Sequence, residues 1–169
     1  MAVISRSNTA QAILGNVVTT LQAADSASNV DAFDAVILVD KERRGAEIKS
    51  KDTLCQVVYT GRREYDVDEN ANLVGTVLDA TIVVTYRVNT ADSIGNLTQL
   101  ITQGNDLADL VLNALQADRF RSNNAGFVHQ AGLAPTVASG GFSIQEIDQG
   151  WGRVAIPMQF GFEHTETGR

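Results

Sequence analysis

Residues 153–163 read RVAIPMQFGFE and carry the clearest strand pattern in the chain. Every second residue of this stretch, starting at Val154, is large and apolar, and the residues between them are mostly polar or small. This period of two places the apolar side chains on one face of a β-strand. Residues 142–148 and a turn at 149–150 precede it, which predicts a C-terminal β-hairpin. Pro157 has no N–H to donate, and we therefore expect it to face an unpaired edge or a bulge.

Three further stretches have strand character. Residues 73–88 alternate between apolar and polar positions, residues 53–59 form another β segment, and residues 36–39 are a short apolar run of strand length. Residues 60–70 are expected to join the first two of these segments. The β content is therefore spread along the chain and is not confined to the C-terminal hairpin.

Two stretches repeat apolar residues at spacings of three and four, the period of a helix packed along one side. They are residues 9–21 and residues 94–115, and Gly104 within the second predicts a kink or a break there. The order of helix, strands, helix and hairpin predicts an α+β fold. We expect a mostly antiparallel sheet with the N-terminal and central helices packed on one face. A chain of 169 residues is long enough for one core, so residues 1–169 are predicted to form a single domain.

The charge balance and the scarcity of reactive side chains exclude several functions. Thirteen Lys and Arg against twenty Asp and Glu give a net charge of −7, which disfavours general binding to nucleic acid. A single cysteine cannot form an internal disulfide, and two histidines are too few for a His and Cys metal site. No apolar run approaches the length of a membrane span, and we expect no membrane association.

Each candidate for catalysis lacks a partner at a suitable spacing. The sequence has no nucleophile elbow and no phosphate-binding glycine loop. Cys55 lies in a predicted strand and is expected to be a buried small apolar residue. His129 and His164 have no neighbouring acid or nucleophile in sequence and are expected to be solvated or hydrogen-bonded structurally.

Two pairs of carboxylates, Asp66 with Asp68 and Glu146 with Asp148, share strand faces but lack the remaining ligands of a calcium loop. We therefore predict that the protein is not an enzyme and holds no cofactor and no metal. The alternative, a small hydrolase or ligand-binding domain, would gather distant residues such as His129 and Asp118 or Glu146.

Residues 40–52, the charged segment, contain five basic and four acidic residues and little to bury, which predicts a solvated arm or hairpin. Seven of the thirteen cations lie within residues 41–63, and their acidic neighbours favour contact with protein over a phosphate backbone. A plain solvated face, a subunit contact and a nucleic-acid contact remain open. The subunit-interface candidates are Lys41, Arg43, Arg44, Lys49, Lys51, Arg62 and Arg63.

Residues 118–141 form the last unusual feature, a long stretch with little periodicity that is rich in Asn, Gly, Ala and Ser. A loop of this length in a compact domain is usually functional or ordered by a partner.

The order of these patterns resembles the tail-terminator family of tailed bacteriophages, also called tail-completion or neck proteins. The likeness is carried by residues 9–21, 53–59, 73–88, 94–115 and 142–162. It implies a hexameric ring that caps the tail tube, joins it to the head connector and keeps a channel open for DNA.

The same resemblance implies the partners and the location of the protein. The partners would be further copies of the chain, the tail tube protein, the head-tail connector or stopper protein, and DNA that passes without sequence-specific binding. The protein would be assembled in the host cytoplasm and reside in the neck of the virion. Another head-completion or minor capsid protein is the alternative within the same class.

Overall fold

The computed structural model describes residues 6–24, 32–49, 51–68, 73–88, 93–117, 136–137, 141–148 and 150–165. The long helices are α1 (Arg6–Gln22) and α3 (Ser93–Ala117), and α2 (Ala46–Lys49) is a single turn. The strands are β1 (Ala35–Val39), β2 (Thr53–Asp68), β3 (Leu73–Arg87), β4 (Thr136–Val137), β5 (Ser143–Asp148) and β6 (Trp151–Thr165). Most of the predicted loop at 118–141 lies outside the described residues.

The strands form one sheet in the order β1-β2-β3-β6, and β4 and β5 pair with different parts of the outer edge of β6. Only the β1–β2 pair among the described strands is parallel. The α+β prediction with a mostly antiparallel sheet is therefore confirmed, as is the C-terminal hairpin of β5 and β6. Pro157 lies between the segment of β6 paired with β5, which ends at Ala155, and the segment paired with β4, which begins at Met158. No described strand pairs with Pro157 on this edge, as expected for a residue that has no N–H to donate.

Strand β2 is longer than the pattern predicts. Residues 60–68 are mostly polar and are expected from sequence to be a connection, but they continue the antiparallel ladder with β3 after a register shift between Tyr59 and Gly61. The ladder is built from main-chain groups, so a polar sequence extends a strand where a partner strand is present.

The main core lies between the sheet and the two long helices. One face of β3 supplies Leu78, Ile82 and Val84, and all three are fully buried. Helix α1 packs on this face through Val17 and its neighbours, and α3 packs on it through Val111 and its neighbours. Both helices therefore cover the same face, as the periodicity predicts, because only one stripe of each is apolar.

Helix α3 runs without a break through Gly104, so the predicted split into two helices is wrong. This glycine allows the helix to approach the ring of Tyr86, whose hydroxyl donates a hydrogen bond to the carbonyl of Leu100 at 2.6 Å. A Cβ on Gly104 would lie 2.6 Å from that hydroxyl oxygen, and a Cβ on Gly152 would lie 2.3 Å from the ring. The two glycines thus make room for a buried tyrosine between α3 and the sheet.

Candidate subunit-contact surfaces

The charged segment crosses the sheet face opposite the helices. The main-chain N–H of Arg43 donates to Gln56 Oε1 at 2.8 Å, and Gln56 Nε2 donates back to the carbonyl of Arg43 at 3.2 Å. Farther along the same face, Arg153 donates to both carboxylate oxygens of Glu42 at 2.7 and 2.8 Å. Gln56 belongs to β2 and Arg153 to β6, so these contacts tie the segment to both sides of β3.

The sequence predicts a solvated arm or hairpin here, whereas the structure places the segment along the sheet. Strands β1 and β2 are parallel, and a parallel pair needs a crossover connection. The charged segment is that crossover, and Ile48 at its centre is buried. A second, smaller apolar cluster of Val39, Val58, Val83 and Ala155 lies on the sheet, apart from the main core. Gln56 is fully buried beneath the charged segment, and its amide is satisfied by the backbone of Arg43.

The ion pair of Glu42 and Arg153 is the strongest tie of the charged segment. Both side chains are shielded, with 16% and 15% of their surface exposed. The hydrogen bonds from Arg153, together with the charges of Arg153 and Arg44, lower the pKa of Glu42 and outweigh the opposing effect of burial. Glu42 is therefore ionised at neutral pH, and the bidentate geometry sets the position of the segment.

Exposed contacts add to this attachment. Lys49 pairs with Asp148 at the end of β5, and Arg87 pairs with Asp52 at 3.1 Å. The guanidinium of Arg87 also lies over the Trp151 ring at 5.2 Å. Solvent-exposed pairs of this kind contribute about 0–1 kcal/mol each, so they guide the path of the segment more than they stabilise it.

The structure divides the seven cationic interface candidates between two places. Lys41, Arg43, Arg44, Lys49 and Lys51 belong to the charged segment, and all five side chains are exposed. Arg62 and Arg63 lie on β2 beyond the end of β1, where Arg63 donates to Asp79 at 3.1 and 3.3 Å. Arg62 is exposed beside α1. Their role in subunit contact stays a prediction.

A groove opens at the β1 edge of the sheet, and we call it the edge groove. It encloses about 430 Å³ between α1 and the end of β1. Leu38 in this groove is 46% exposed although it belongs to a wholly apolar strand. No described strand pairs with the outer edge of β1. The groove is lined by Gln11, Leu14, Leu38, Val39, Asp40, Tyr59 and Arg62.

A second exposed apolar surface lies on α3. Leu97 and Ile101, the α3 pair, are 59% and 48% exposed and stand one helical turn apart. The sequence pattern places both on the buried stripe, and for these two positions the prediction is wrong. Neither the edge groove nor the α3 pair was predicted from sequence. Leu38, Leu97 and Ile101 stand at the spacing of core residues, and the pattern does not show that they are exposed.

A polar cavity of about 470 Å³ separates the charged segment from β5. Glu42, Lys49, Asp148 and Arg153 line it, and they form two ion pairs with one another. Arg44, which also pairs with Glu42 at 3.6 Å, and Glu146 complete the charged lining.

The structure also locates the residues considered for catalysis. Cys55 is fully buried, as predicted, and burial raises the pKa of its thiol well above the ordinary value, which keeps it unreactive. His129 and Asp118 lie outside the described residues. His164 lies in β6, where the structure describes its backbone only.

The two carboxylate pairs lie on different strands. Asp66 and Asp68 are in the last part of β2, which is described as backbone, and Glu146 and Asp148 are exposed on β5. Within the described ranges, no three His, Cys, Asp or Glu residues lie close enough together to hold a metal ion. The same part of the chain contains no helix long and apolar enough to cross a membrane.

No protein-family model matches this chain, and no curated protein matches its sequence.

Proposed function

We propose that the protein is a structural subunit of the bacteriophage neck, a tail terminator that forms a ring, caps the tail tube and joins it to the head connector. The observation that carries this proposal is that each subunit has two separate exposed apolar surfaces, one toward each edge of the sheet. The edge groove lies beside β1, whereas α3 packs over β5 and β6 at the other side. Head-to-tail rings need two different patches on each subunit, and this arrangement supplies them.

The order of the elements supports the same class. An N-terminal helix, a charged excursion between strands, a long antiparallel pair, a central helix and a C-terminal hairpin follow one another along the chain. This is the order that the likeness to tail terminators implies.

The charge of the protein suits a channel for DNA. A net charge of −7 repels phosphate, so DNA could slide through a ring of such subunits without being held. The partners in this proposal are further copies of the chain, the tail tube protein and the connector or stopper protein.

The first test is the mass of the purified protein in solution. Six copies of the 18.1 kDa chain have a mass of about 109 kDa, which mass photometry separates clearly from smaller species. Negative-stain images of the same sample should show rings with a central opening. A single 18.1 kDa species up to high protein concentration, with no rings in the images, would overturn the proposal.

The second test separates a tail terminator from another neck or capsid protein. Purified tail tube protein is allowed to polymerise with and without the ring. A terminator should bind tube ends and shorten the tubes as its concentration rises, whereas a head-completion protein should leave their length unchanged.

A further inference from the structure

We infer that the charged segment, residues 40–52, is a detachable strap. It leaves the sheet as one unit while the strands and both long helices stay folded, and the ion pair of Glu42 and Arg153 is its latch. This second state does not depend on the proposed function. In it, the part of the sheet that the strap crosses is open to solvent.

The strap is attached almost entirely through polar groups. Of its side chains that the structure describes, only Ile48 is buried. The other ties are the latch, the two hydrogen bonds between the main chain of Arg43 and Gln56, and the exposed ion pairs of its second half. Segments that bury few apolar side chains open at a lower free energy than the core does. The strap therefore has the character of an element that opens before the rest of the protein.

The sheet face beneath the strap is polar where the strap crosses it. Both buried polar side chains of the described residues, Gln56 and Thr85, lie on this face. Thr85 is paired with Arg153 in the ladder of β3 and β6. Its neighbours Val84 and Tyr86 belong to the main core, so Thr85 points to the other face. Exposure of such a surface to water costs less than exposure of an apolar core, because water forms hydrogen bonds with the polar groups.

One of these polar groups is left unsatisfied while the strap is in place. Among the described residues, the hydroxyl oxygen of Thr85 is buried without a hydrogen-bond partner. A buried unpaired hydroxyl raises the free energy of the closed state, and hydration removes that penalty. The amide of Gln56 is paired with the strap, and water can form the same bonds after the strap has left. The latch and the burial of Ile48 are therefore the main contacts that keep the strap closed.

The two strands that the strap connects have an anchor of their own. The main-chain N–H of Asp34 donates to the carbonyl of Thr53, and the N–H of Thr53 donates to Asp34 Oδ2, both at 2.9 Å. The ladder between β1 and β2 continues from there along Ala35–Val39. These contacts are made outside residues 40–52, so the sheet can stay intact when the strap leaves.

Hydrogen exchange of the wild-type protein, followed by NMR at rising urea concentrations below the unfolding transition, tests the inference. The N–H of Arg43 reports on the strap through its bond to Gln56, and the N–H groups of Ile82 and Val84 report on the centre of the sheet. After correction for intrinsic rates, the Arg43 amide should exchange faster and with a weaker dependence on urea, because strap opening exposes little surface. Equal opening free energies and equal urea dependence for the three amides would overturn the inference.

Two variants separate the strap from the core. Arg153→Gln breaks the latch from the sheet side and leaves the strap sequence unchanged, so the Arg43 amide should exchange about ten- to a hundredfold faster. Phe160→Ala weakens the main core, so the amides of β3 should exchange about a hundredfold faster or more while the Arg43 amide keeps its wild-type rate. Ile156→Val, also in the core, repeats this comparison with a rise of about three- to tenfold if the alanine variant does not fold. An Arg43 amide that accelerates together with β3 in these core variants would show that the strap opens only when the whole protein unfolds.

Arg63→Gln is the matched control for the latch. Arg63 also donates to both oxygens of a carboxylate, but its partner Asp79 lies on β3 and the pair is more exposed than the latch. The Arg43 amide of this variant should exchange at the wild-type rate. A rise equal to that in Arg153→Gln would overturn the assignment of Glu42 and Arg153 as the latch.

Discussion

Replacing Gly104 by alanine should destabilise the protein, although alanine is the better helix former. In an open helix the exchange stabilises by about 1 kcal/mol. Here the new Cβ would lie 2.6 Å from the hydroxyl oxygen of Tyr86 and 2.9 Å from the Cγ2 of Ile144. Tyr86 is fully buried, so the helix or the ring must move, and such overpacking costs about 1–3 kcal/mol. The displaced hydroxyl also loses its bond to Leu100, which is worth about 1 kcal/mol.

The magnitudes add to a net loss of about 1–3 kcal/mol in the free energy of unfolding. Urea denaturation followed by far-UV circular dichroism measures it. The matched control is Gly15→Ala in α1, where the position is exposed and no atom lies within 4 Å of the new Cβ. That variant should be stabilised by up to about 1 kcal/mol. Equal stabilisation of both variants would refute the close packing of α3 on Tyr86.

A second substitution identifies the atom responsible. Tyr86→Phe removes the hydroxyl that the new Cβ of Gly104→Ala would meet. Alone it should cost about 1 kcal/mol through the lost hydrogen bond. In the Gly104→Ala background it should cost less or stabilise, because it also relieves the clash. Additive effects in this double-mutant cycle would show that the hydroxyl is not the obstacle.

The remaining predictions concern the charged segment and the core. Glu42→Gln should lower the free energy of unfolding by about 1–3 kcal/mol at pH 7, because it removes a charge-assisted bidentate pair. The pKa of Glu42 is lowered in the folded state, so its contribution is present above the ordinary pKa of a glutamate and is lost as the pH falls through the lowered value. Urea midpoints of wild type and variant should therefore converge in acid, and a constant difference would contradict the assignment. Replacing Arg43 and Arg44 by glutamate should impair ring formation in mass photometry. It should also lower the melting temperature slightly, because the exposed Arg44 pairs with Glu42 at 3.6 Å and a carboxylate at position 44 would repel Glu42. Unchanged rings would remove both from the interface. Phe160→Ala should cost about 3–5 kcal/mol in a denaturation curve, since the ring is buried in the core, and near-wild-type stability would show that it is not packed. Cys55 should react with a thiol reagent only in denaturant, because burial raises the pKa of its thiol; rapid labelling of the native protein would contradict its burial.

Periodicity predicted the regular elements well because it reflects burial on one face. The alternation of residues 73–88 and 153–163 corresponds to β3 and β6, which lie next to each other in the sheet. The helical spacing of residues 9–21 and 94–115 corresponds to α1 and α3. Both stripes pack on the sheet as expected, except at Leu97 and Ile101 of α3. In each case neighbouring residues within one element carry the signal, so no distant contact is needed to detect it.

The path of the charged segment could not be read from its sequence. Glu42 and Arg153 are 111 positions apart, and either residue alone looks like an ordinary surface charge. The buried Gln56 is likewise hidden, because its amide is satisfied by the backbone of a residue whose side chain points to solvent. The sequence does not show that the second face of the sheet is partly buried. That follows from the parallel pairing of β1 and β2, because the segment that joins them must cross over the sheet.

The sequence by itself determined the α+β class, the elements that carry the core and the burial of Cys55, because each depends on the apolar pattern of a single segment. Tertiary structure alone decided which apolar positions are left uncovered. Leu97 and Leu100 lie on one stripe of α3, yet the first is 59% exposed and the second only 8%. Periodicity records that a side chain faces apolar surroundings, but it does not record whether its own chain or another copy supplies them.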